Sequence, residues 1–405
     1  MSRPPGLTRR RFLQGLSAAG LAAALPGCSA SRRGSPAGGP YLQDVRPDRA
    51  TVAAVTRGGE RLRLAWSPAP GSVGRAGEAV DPDPVQVHGL VARDLSPGSA
   101  YAYRLEDERG RALGEGTFRT APPPGDAGPV TFVALGDSGG TAASSALGEL
   151  GDDLERSFAG EDRDENQQAR VAAAVLGASR PDLVLHTGDV VYPSGAAEDY
   201  AEALFRPFAG LIAGVPLYPT LGNHDVKSGG GRPYLENFFL PEGGPDPERR
   251  AYGFQRGPAH FVSLDVMSSS IAPGSDQLLW LEEELGRSEA TWKVVFFHVP
   301  PHGPSRHGDN EQLKADLVPL LERSGVDLVL SGHDHVYARY LPIGGATYVV
   351  TGGGGKSLYE VVPDPRLAYA ESVFHFVEGV IEGKELRLRA VDARGVPFDS
   401  TTLRK

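Results

Sequence analysis

The sequence predicts an α/β fold in four layers, α/β/β/α, preceded by a small all-β sandwich. Two patterns carry this expectation. Over residues 41–121, short runs such as "TVAAVTRG", "LRLAWSP", "QVHGLVARDL", "AYAYRLEDERG" and "GEGTFRTAP" are separated by Gly, Pro and Asp turns. Short alternating strands at that spacing form antiparallel sandwiches. Over residues 130–400, apolar strand-like runs alternate with helical patterns, which implies sheets flanked by helices. The stretch "PPPGDAGP" (122–129) reads as a hinge between the two parts.

Taken in order, "VTFVALGDSGG" is the first strand of the second part. Helix "QQARVAAAVLGAS" leads to strand "PDLVLHTGDVVYP", and helix "DYAEALFRPFAGLIAG" leads to "VPLYPTLGNHD". Helix "DQLLWLEEELGRS" precedes "WKVVFFHVPPHG", and helix "EQLKADLVPLLERSG" precedes "VDLVLSGHDHVYAR". "AYGFQRGPAHFVSLDV" and "FHFVEGVIEGKELRLRAVD" read as further, antiparallel strands. In such folds ligands bind at the carboxyl ends of the strands. With 40% apolar and 23% charged residues the chain has the means for a packed core, and 53 Gly with 34 Pro speak for loops rather than a helical bundle. A net charge of −10 argues against nucleic acid or an anionic membrane as the main partner, while leaving room for a local cationic site built by metal ions.

The N-terminus carries a targeting pattern. "TRRRFLQG" places an arginine pair before the short apolar stretch "LSAAGLAAALPGC". That stretch is too short to span a bilayer stably and has the layout of an export peptide over residues 1–27. The arginine pair resembles a twin-arginine signal, which implies export of an already folded chain, cofactors in place, to the periplasm or cell surface. Cys28 is the single cysteine, so no intramolecular disulfide forms. Its context, "LPGC", resembles a lipoprotein processing site and implies membrane attachment through a lipid on Cys28; the alternative is that Cys28 is discarded with the signal. Residues 28–40 then form a tether.

The chemistry concentrates in five turns, each after an apolar run: Gly136-Asp137-Ser138-Gly139, Gly188-Asp189-Val190-Val191-Tyr192, Gly222-Asn223-His224-Asp225, His298, and Gly332-His333-Asp334-His335. One Gly-Asp is an ordinary turn; five such turns at strand ends are not explained that way. Oxygen and nitrogen donors without thiolate suit Fe, Mn or Zn rather than a structural zinc finger, and a shared carboxylate between two incomplete ligand sets suits a two-metal hydrolytic centre. "GGGGKS" (352–357) is not a nucleotide-binding P-loop, because the first glycine of that motif falls at Val350; it reads as a permissive turn near the site.

The motif order resembles the calcineurin-like metallophosphoesterase superfamily. Members commonly begin with Asp-x-His, whose histidine is a ligand, but here that position is Gly139. Purple acid phosphatases within the superfamily show the same loss and use the tyrosine of Gly-Asp-x-x-Tyr, here Tyr192. "DLSPGSAYAYRLED" and "FRTAPPPG" resemble late strands of a fibronectin type III module, and "PYLQDVRPDRATV" resembles the opening strand of the module in front of many such phosphatases.

The resemblance implies that Asp137, Asp189, Tyr192 and His335 hold a first metal, Fe(III), because a phenolate is a hard anionic donor. It implies that Asp189, Asn223, His298 and His333 hold a second, divalent Fe, Mn or Zn. Regular pleating is expected to break where His333 and His335 both reach the cluster, permitted by Gly332. His224 is expected to face substrate. The family has a further histidine beyond the His298 equivalent; the spacing favours His307, with His302 second. His186 and His260 lie in apolar strands and read as core residues, and Tyr337 and Arg339 are expected along the cleft. The implied activity is hydrolysis of phosphate monoesters of small molecules by a hydroxide carried on the metal pair. The alternative on the same site is a phosphodiesterase or phospholipase. A reading of another class makes the front sandwich an adhesion module, which leaves the ligand set without a purpose.

Overall fold

The structure, a computed structural model, describes residues 37–123, 125–140 and 167–405. The expected export peptide, Cys28 and the first part of the tether, and the acidic stretch "GELGDDLERSFAGEDRDE", lie outside the described residues. Among the described residues no helix is long and apolar enough to cross a membrane.

The front part is the expected sandwich. Strands β1 (Gly38–Gln43), β2 (Ala50–Glu60), β3 (Leu62–Pro68), β4 (Gly77–Val80), β5 (Val85–Ala92), β6 (Ala100–Asp107) and β7 (Ala112–Arg119) form two antiparallel sheets, ordered β1-β2-β5 and β4-β3-β6-β7. Alternate residues from both, among them Val52, Leu64, Trp66, Leu90, Tyr103 and Leu105, fill one core. The Tyr101 hydroxyl accepts the Ser96 N–H at 2.8 Å, the tyrosine corner that pins the last turn of such sandwiches.

The larger part stacks two sheets. One joins β8 (Val130–Leu135), β9 (Leu183–His186), β10 (Leu217–Pro219), β18 (His375–Glu382), β19 (Glu385–Asp392) and β20 (Pro397–Arg404), in the order β10-β9-β8-β18-β19-β20. The other joins β11 (Tyr252–Arg256), β12 (Ala259–Ser263), β13 (Trp292–Phe296), β14 (Leu328–Ser331), β15 (Tyr337–Tyr340), β16 (Thr347–Thr351) and β17 (Leu367–Glu371), in the order β11-β12-β13-β14-β16-β15-β17. Strands β8, β9 and β10 are mutually parallel, as are β12, β13, β14 and β16. The chain-end strands β18–β20 pair antiparallel as expected; β12 pairs antiparallel with β11 but parallel with β13.

Side-chain alternation explains the layering. Trp292, Val294 and Phe296 of β13 and Leu328 and Leu330 of β14 face the first sheet. Val295, Phe297 and Val329 face helices α4 (Asp276–Arg287), α5 (Glu311–Asp316) and α6 (Val318–Arg323), the numbering following α1 (Gln167–Ala178), α2 (Arg206–Ile212) and α3 (Arg232–Asn237). A strand buried on both faces reads as a continuous apolar run, as "VVFF" (294–297) does. Helices α5 and α6 are two pieces of one predicted helix, because Pro319 has no N–H to continue the ladder.

The sandwich is sealed onto these layers rather than hinged from them. Tyr41 stacks on Phe205 with ring centroids 4.7 Å apart and donates its hydroxyl to the Asn237 carbonyl at 2.6 Å. The Gln43 side chain donates to the Leu217 carbonyl and accepts the Phe239 N–H. Tyr41→Ala is expected to cost about 3–5 kcal/mol, the loss typical of a buried aromatic, read as a lower urea midpoint of the whole chain; a loss below about 1 kcal/mol contradicts a sealed interface.

Candidate metal centre

Strands β8, β9, β10, β13 and β14 run parallel within their sheets and end at one edge, where they deliver Asp137; Asp189 and Tyr192; Asn223; His298; and His333 and His335. Three of these residues have left-handed backbone: Asp137 (φ 59°), Asp189 (φ 51°) and His333 (φ 67°). Each costs roughly 1–2 kcal/mol for a residue with a Cβ, and such strain persists where surrounding bonds fix it. Here the Asp137 N–H donates to the Gly188 carbonyl at 3.0 Å, and the Asp137 carboxylate accepts the His333 N–H at 2.9 Å. The break in pleating thus falls on His333 itself. Gly332 serves close approach instead: a Cβ there would lie 2.4 Å from Asp137 Oδ2 and 2.8 Å from Thr187 Oγ1. Gly222 is needed for the same reason, its Cβ falling 2.1 Å from the Asp189 nitrogen.

All seven predicted ligands converge, in two sets that share Asp189. Tyr192 Oη lies 2.9 Å from Asp189 Oδ2, 3.0 Å from His335 Nε2 and 3.2 Å from Asp137 Oδ1. Asn223 Oδ1 lies 2.9 Å from His298 Nε2 and 3.0 Å from His333 Nδ1. His298 Nε2 is 3.5 Å from Asp189 Oδ1. One carboxylate oxygen of Asp189 therefore faces each set.

The donor arrangement fits metal ions. His298 Nδ1–H donates to the Thr187 carbonyl at 2.9 Å and His335 Nδ1–H to the Ser357 carbonyl at 2.6 Å. These bonds, to groups that only accept, assign the tautomers and turn both Nε2 lone pairs inward. Inward-facing lone pairs at 2.9–3.5 Å from amide and carboxylate oxygens repel unless positive charge sits among them. The titration shifts report the same negative field, which without an ion draws a proton onto His298 Nε2 in place of a metal. Burial lowers the pKa of the His298 imidazole, yet the carboxylates of Asp189 and Asp137 overcome that and raise it to about 10. Burial raises that of Asp137, and His335 and His298 pull it back. Burial also works against the Asp189 carboxylate, but His298 and His224 hold it below the usual range. Tyr192 is pushed well up, first by burial and then by Asp189 and Asp137. A multivalent cation reverses the sign of these influences and would permit a phenolate.

The His224 side chain is 17% exposed and packs at a 44° tilt on Tyr192 with centroids 4.3 Å apart. Its Nδ1–H is directed to the Pro193 carbonyl, so Nε2, 3.9 Å from Asp189 Oδ2, faces the cluster. His307 Nδ1 is 2.7 Å from Asp334 Oδ1, and its ring stacks on His333 at 4.9 Å. His302 does not join them: it is buried between Tyr340 and Tyr348 and receives an Arg366 N–H. Tyr337 and Arg339 likewise leave the cleft, both binding Asp399 on β20. His186 and His260 are buried within the layers, bonded to Ser138 and Glu284.

Two contributors escape the sequence reading, and the glycine-rich turn, expected near the site, proves to be part of it. The buried carboxylate of Asp225 accepts the N–H groups of Gly222, Val190 and Val191 at 2.9–3.2 Å, tying the two central loops together; burial, then the charge of Asp189, raise its pKa to about 7. Its signal was its place directly after Asn223-His224. Asp334, between two ligands, orients His307. The "GGGGKSLY" turn is part of the site: Gly354 N–H and Lys356 N–H donate to the Gly136 and Asp137 carbonyls, and Tyr359 stacks on His335 at 4.0 Å.

Residues 130–337 match the model of the calcineurin-like phosphoesterase family. An uncharacterised protein of Mycobacterium tuberculosis is 28% identical over 293 residues, 65% of this chain and 52% of that protein. Purple acid phosphatase 18 of Arabidopsis thaliana is 25% identical over 297 residues, 67% of this chain and 58% of its own. The chain thus spans little more than half the length of these curated relatives. The purple acid phosphatase PPD1 from yellow lupin seeds superposes with a TM-score of 0.76 at 20% identity, over 90% of this chain and 74% of that one. The structure of PhoD does so with 0.64 at 15% identity, over 93% and 94%. These two likenesses speak for the fold, whereas the family match runs through every strand-end motif from Asp137 to His335, and the chain belongs to the calcineurin-like phosphoesterase family.

Proposed function

We propose that the chain is a phosphomonoesterase of the purple acid phosphatase type, with Fe(III) held by Asp137, Asp189, Tyr192 and His335 and a divalent Fe, Zn or Mn held by Asp189, Asn223, His298 and His333. The observation that supports it most is local. The Tyr192 N–H donates to the Gly139 carbonyl at 2.6 Å, and a Cβ on Gly139 would fall 1.9 Å from the Val190 carbonyl oxygen. The loop that brings Tyr192 Oη to the cluster therefore excludes a histidine at position 139, so tyrosine and glycine are two halves of one exchange.

When bound, the metal pair supplies positive charge that neutralises phosphoryl oxygens and acidifies water. Asp189, with one oxygen toward each ligand set, holds the two sets in register. His224 presents Nε2 beside the cluster, placed to hydrogen-bond a phosphoryl oxygen. His307, its Nδ1 held by Asp334, presents Nε2 for delivering a proton to the leaving alkoxide as the ester P–O bond breaks. Water adds across that bond, and no covalent phosphoenzyme is needed. Export, with a lipid on Cys28 or without it, is part of the proposal and is supported by the arginine pair and "LPGC" alone; a Cys28→Ser chain released from the membrane fraction supports the lipid.

Asp189→Asn is expected to reduce bound metal from two ions to one or fewer and to lower kcat by at least about a thousandfold, as removal of a central electrostatic group does; metal analysis with two full equivalents and unchanged turnover contradicts bridging. Tyr192→Phe is expected to abolish the visible charge-transfer absorption of the iron-loaded protein, and a band that survives it assigns the chromophore elsewhere. A parallel assay of p-nitrophenyl phosphate and bis-p-nitrophenyl phosphate is expected to favour the monoester, and the reverse order supports the phosphodiesterase alternative. Asp225→Ala is expected to cost about 2–3 kcal/mol, because buried N–H groups lose their acceptor, and to weaken metal retention on dialysis.

A further inference from the structure

If the centre transfers a phosphoryl group as proposed, its surroundings also bear on the leaving group. Asp137, Asp189, Tyr192 and His298 are buried. The less buried residues around them are His224 and Lys227, the segment Lys356–Tyr359, and His307. Two ammonium groups stand here. Lys356 Nζ lies 5.1 Å above the centroid of the Tyr192 ring, an attraction that keeps the charge beside the cluster rather than out in water. Lys227 Nζ lies 3.3 Å from His224 Nδ1, but that nitrogen spends its proton on the Pro193 carbonyl and lies in the ring plane as a donor, not an acceptor. Lys356 therefore rests on Tyr192 and Lys227 beside His224, two rings packed against each other at a tilt.

Among the described residues neither lysine has a carboxylate at ion-pair distance. Other cations close by do: Lys314 pairs with Asp309 and Glu311, and Arg366 with Asp309 and Asp364. In a chain with 51 acidic and 41 basic residues, two ammonium groups that have no acid partner among the described residues and flank one pair of packed rings are a departure that an anionic ligand would explain. An ammonium gains more from a charged acceptor than from a neutral one, and lysine serves as a compact point charge for phosphate and carboxylate.

We propose that Lys356 and Lys227 form an anion subsite beside the metal centre, which selects substrates whose leaving group carries its own negative charge, a second phosphate or a carboxylate. This rests on the phosphoesterase reading. The lysines take no part in bond changes: oxygen of water bonds to phosphorus, the P–O bond to the leaving group breaks, and the leaving oxygen takes a proton. They hold the second anion while this happens.

The test uses the full metal-loaded chain and its Lys356→Met, Lys227→Met, double and Lys356→Arg variants. The substrates are inorganic pyrophosphate, phosphoglycolate and ethyl phosphate: a second phosphate, a carboxylate and no second charge. Wild type is expected to prefer one or both anionic substrates, and which one identifies the source of the anion. Relative to ethyl phosphate, that preference is expected to fall about tenfold in Lys356→Met, further in the double variant, mainly through KM, and to return in Lys356→Arg. Raising NaCl to about 0.5 M should shrink it, since exposed charges are screened. No preference in wild type, or a parallel fall for all three substrates, overturns the proposal; the parallel fall makes Lys356 a support for Tyr192. Calorimetric binding of pyrophosphate and of phosphate separates the two readings. If no substrate is cleaved, the phosphoesterase reading fails, yet the subsite still stands on tighter binding of pyrophosphate that Lys356→Met removes, and equal affinities refute it.

Discussion

The carboxylate of Asp189 is the constraint on which the site depends. Its two oxygens face different ligand sets, and Oδ1 also accepts the His224 N–H at 2.8 Å. A buried carboxylate in that position needs cations or donors around it, so every loop nearby is arranged to supply them. The loop after β9 takes left-handed backbone at Asp189 to aim the side chain inward. Asp225 then fixes the next two N–H groups of that loop, and Gly222 permits the neighbouring loop to touch its backbone. The strain is local, and the hydrogen bonds that hold it come from a different strand end. The loops after β9 and β10 thus form one unit, so that no ligand is positioned by its own strand alone.

That unit needs a firm base, and the front sandwich provides part of it. Strand β10 is the edge of its sheet and only three residues long. An edge strand leaves one row of backbone groups unpaired. Gln43 at the end of β1 answers this by binding the Leu217 carbonyl of β10, while Tyr218 Oη accepts the Val45 N–H. The Tyr234 and Tyr252 hydroxyls both donate to the Pro219 carbonyl at the end of β10. The short strand that delivers Asn223 is therefore held from the sandwich on one side and by two buried tyrosines on another.

The layered fold and the five strand-end turns were legible because they rest on patterns within single segments, whereas the division of their residues into two ligand sets came only with the family resemblance. An apolar run closed by Gly-Asp, Gly-Asn-His or Gly-His-Asp-His announces both the strand and the edge at which it ends. The pairing of Gly139 with Tyr192 was legible only through the resemblance to purple acid phosphatases, and the geometry gives a reason, since a Cβ at 139 would meet the loop that carries Tyr192. What could not be read depends on tertiary neighbours. His302 and His307 stand five residues apart on one loop, and only the packing of Tyr340, Tyr348 and Arg366 draws one of them into the core. Tyr337 and Arg339 come directly after the last ligands in sequence, but β15 carries them toward Asp399 on a strand added some sixty residues later. Asp225 has the sequence context of an ordinary turn, and its burial becomes visible only with three N–H groups converging on it from two loops.

The glycine-rich turn after β16 supports the candidate metal centre with both its backbone and its side chains. Its backbone ties down the Asp137 loop through Gly354 and Lys356, and the Ser357 carbonyl sets the tautomer of His335. Its side chains, Lys356 over Tyr192 and Tyr359 over His335, rest on the rings of two ligands. A close backbone approach of this kind requires glycine: a Cβ on Gly354 would lie 2.3 Å from the Gly136 carbonyl oxygen, and one on Gly352 would lie 2.3 Å from that of Asp334. The run of glycines is thus selected by the metal loops beneath it, and the next four residues, Lys-Ser-Leu-Tyr, are placed at the site as a consequence. The segment in which substrate preference could vary most freely is the two or three side chains after the last glycine, where the backbone is already fixed and the groups facing the ligand are not.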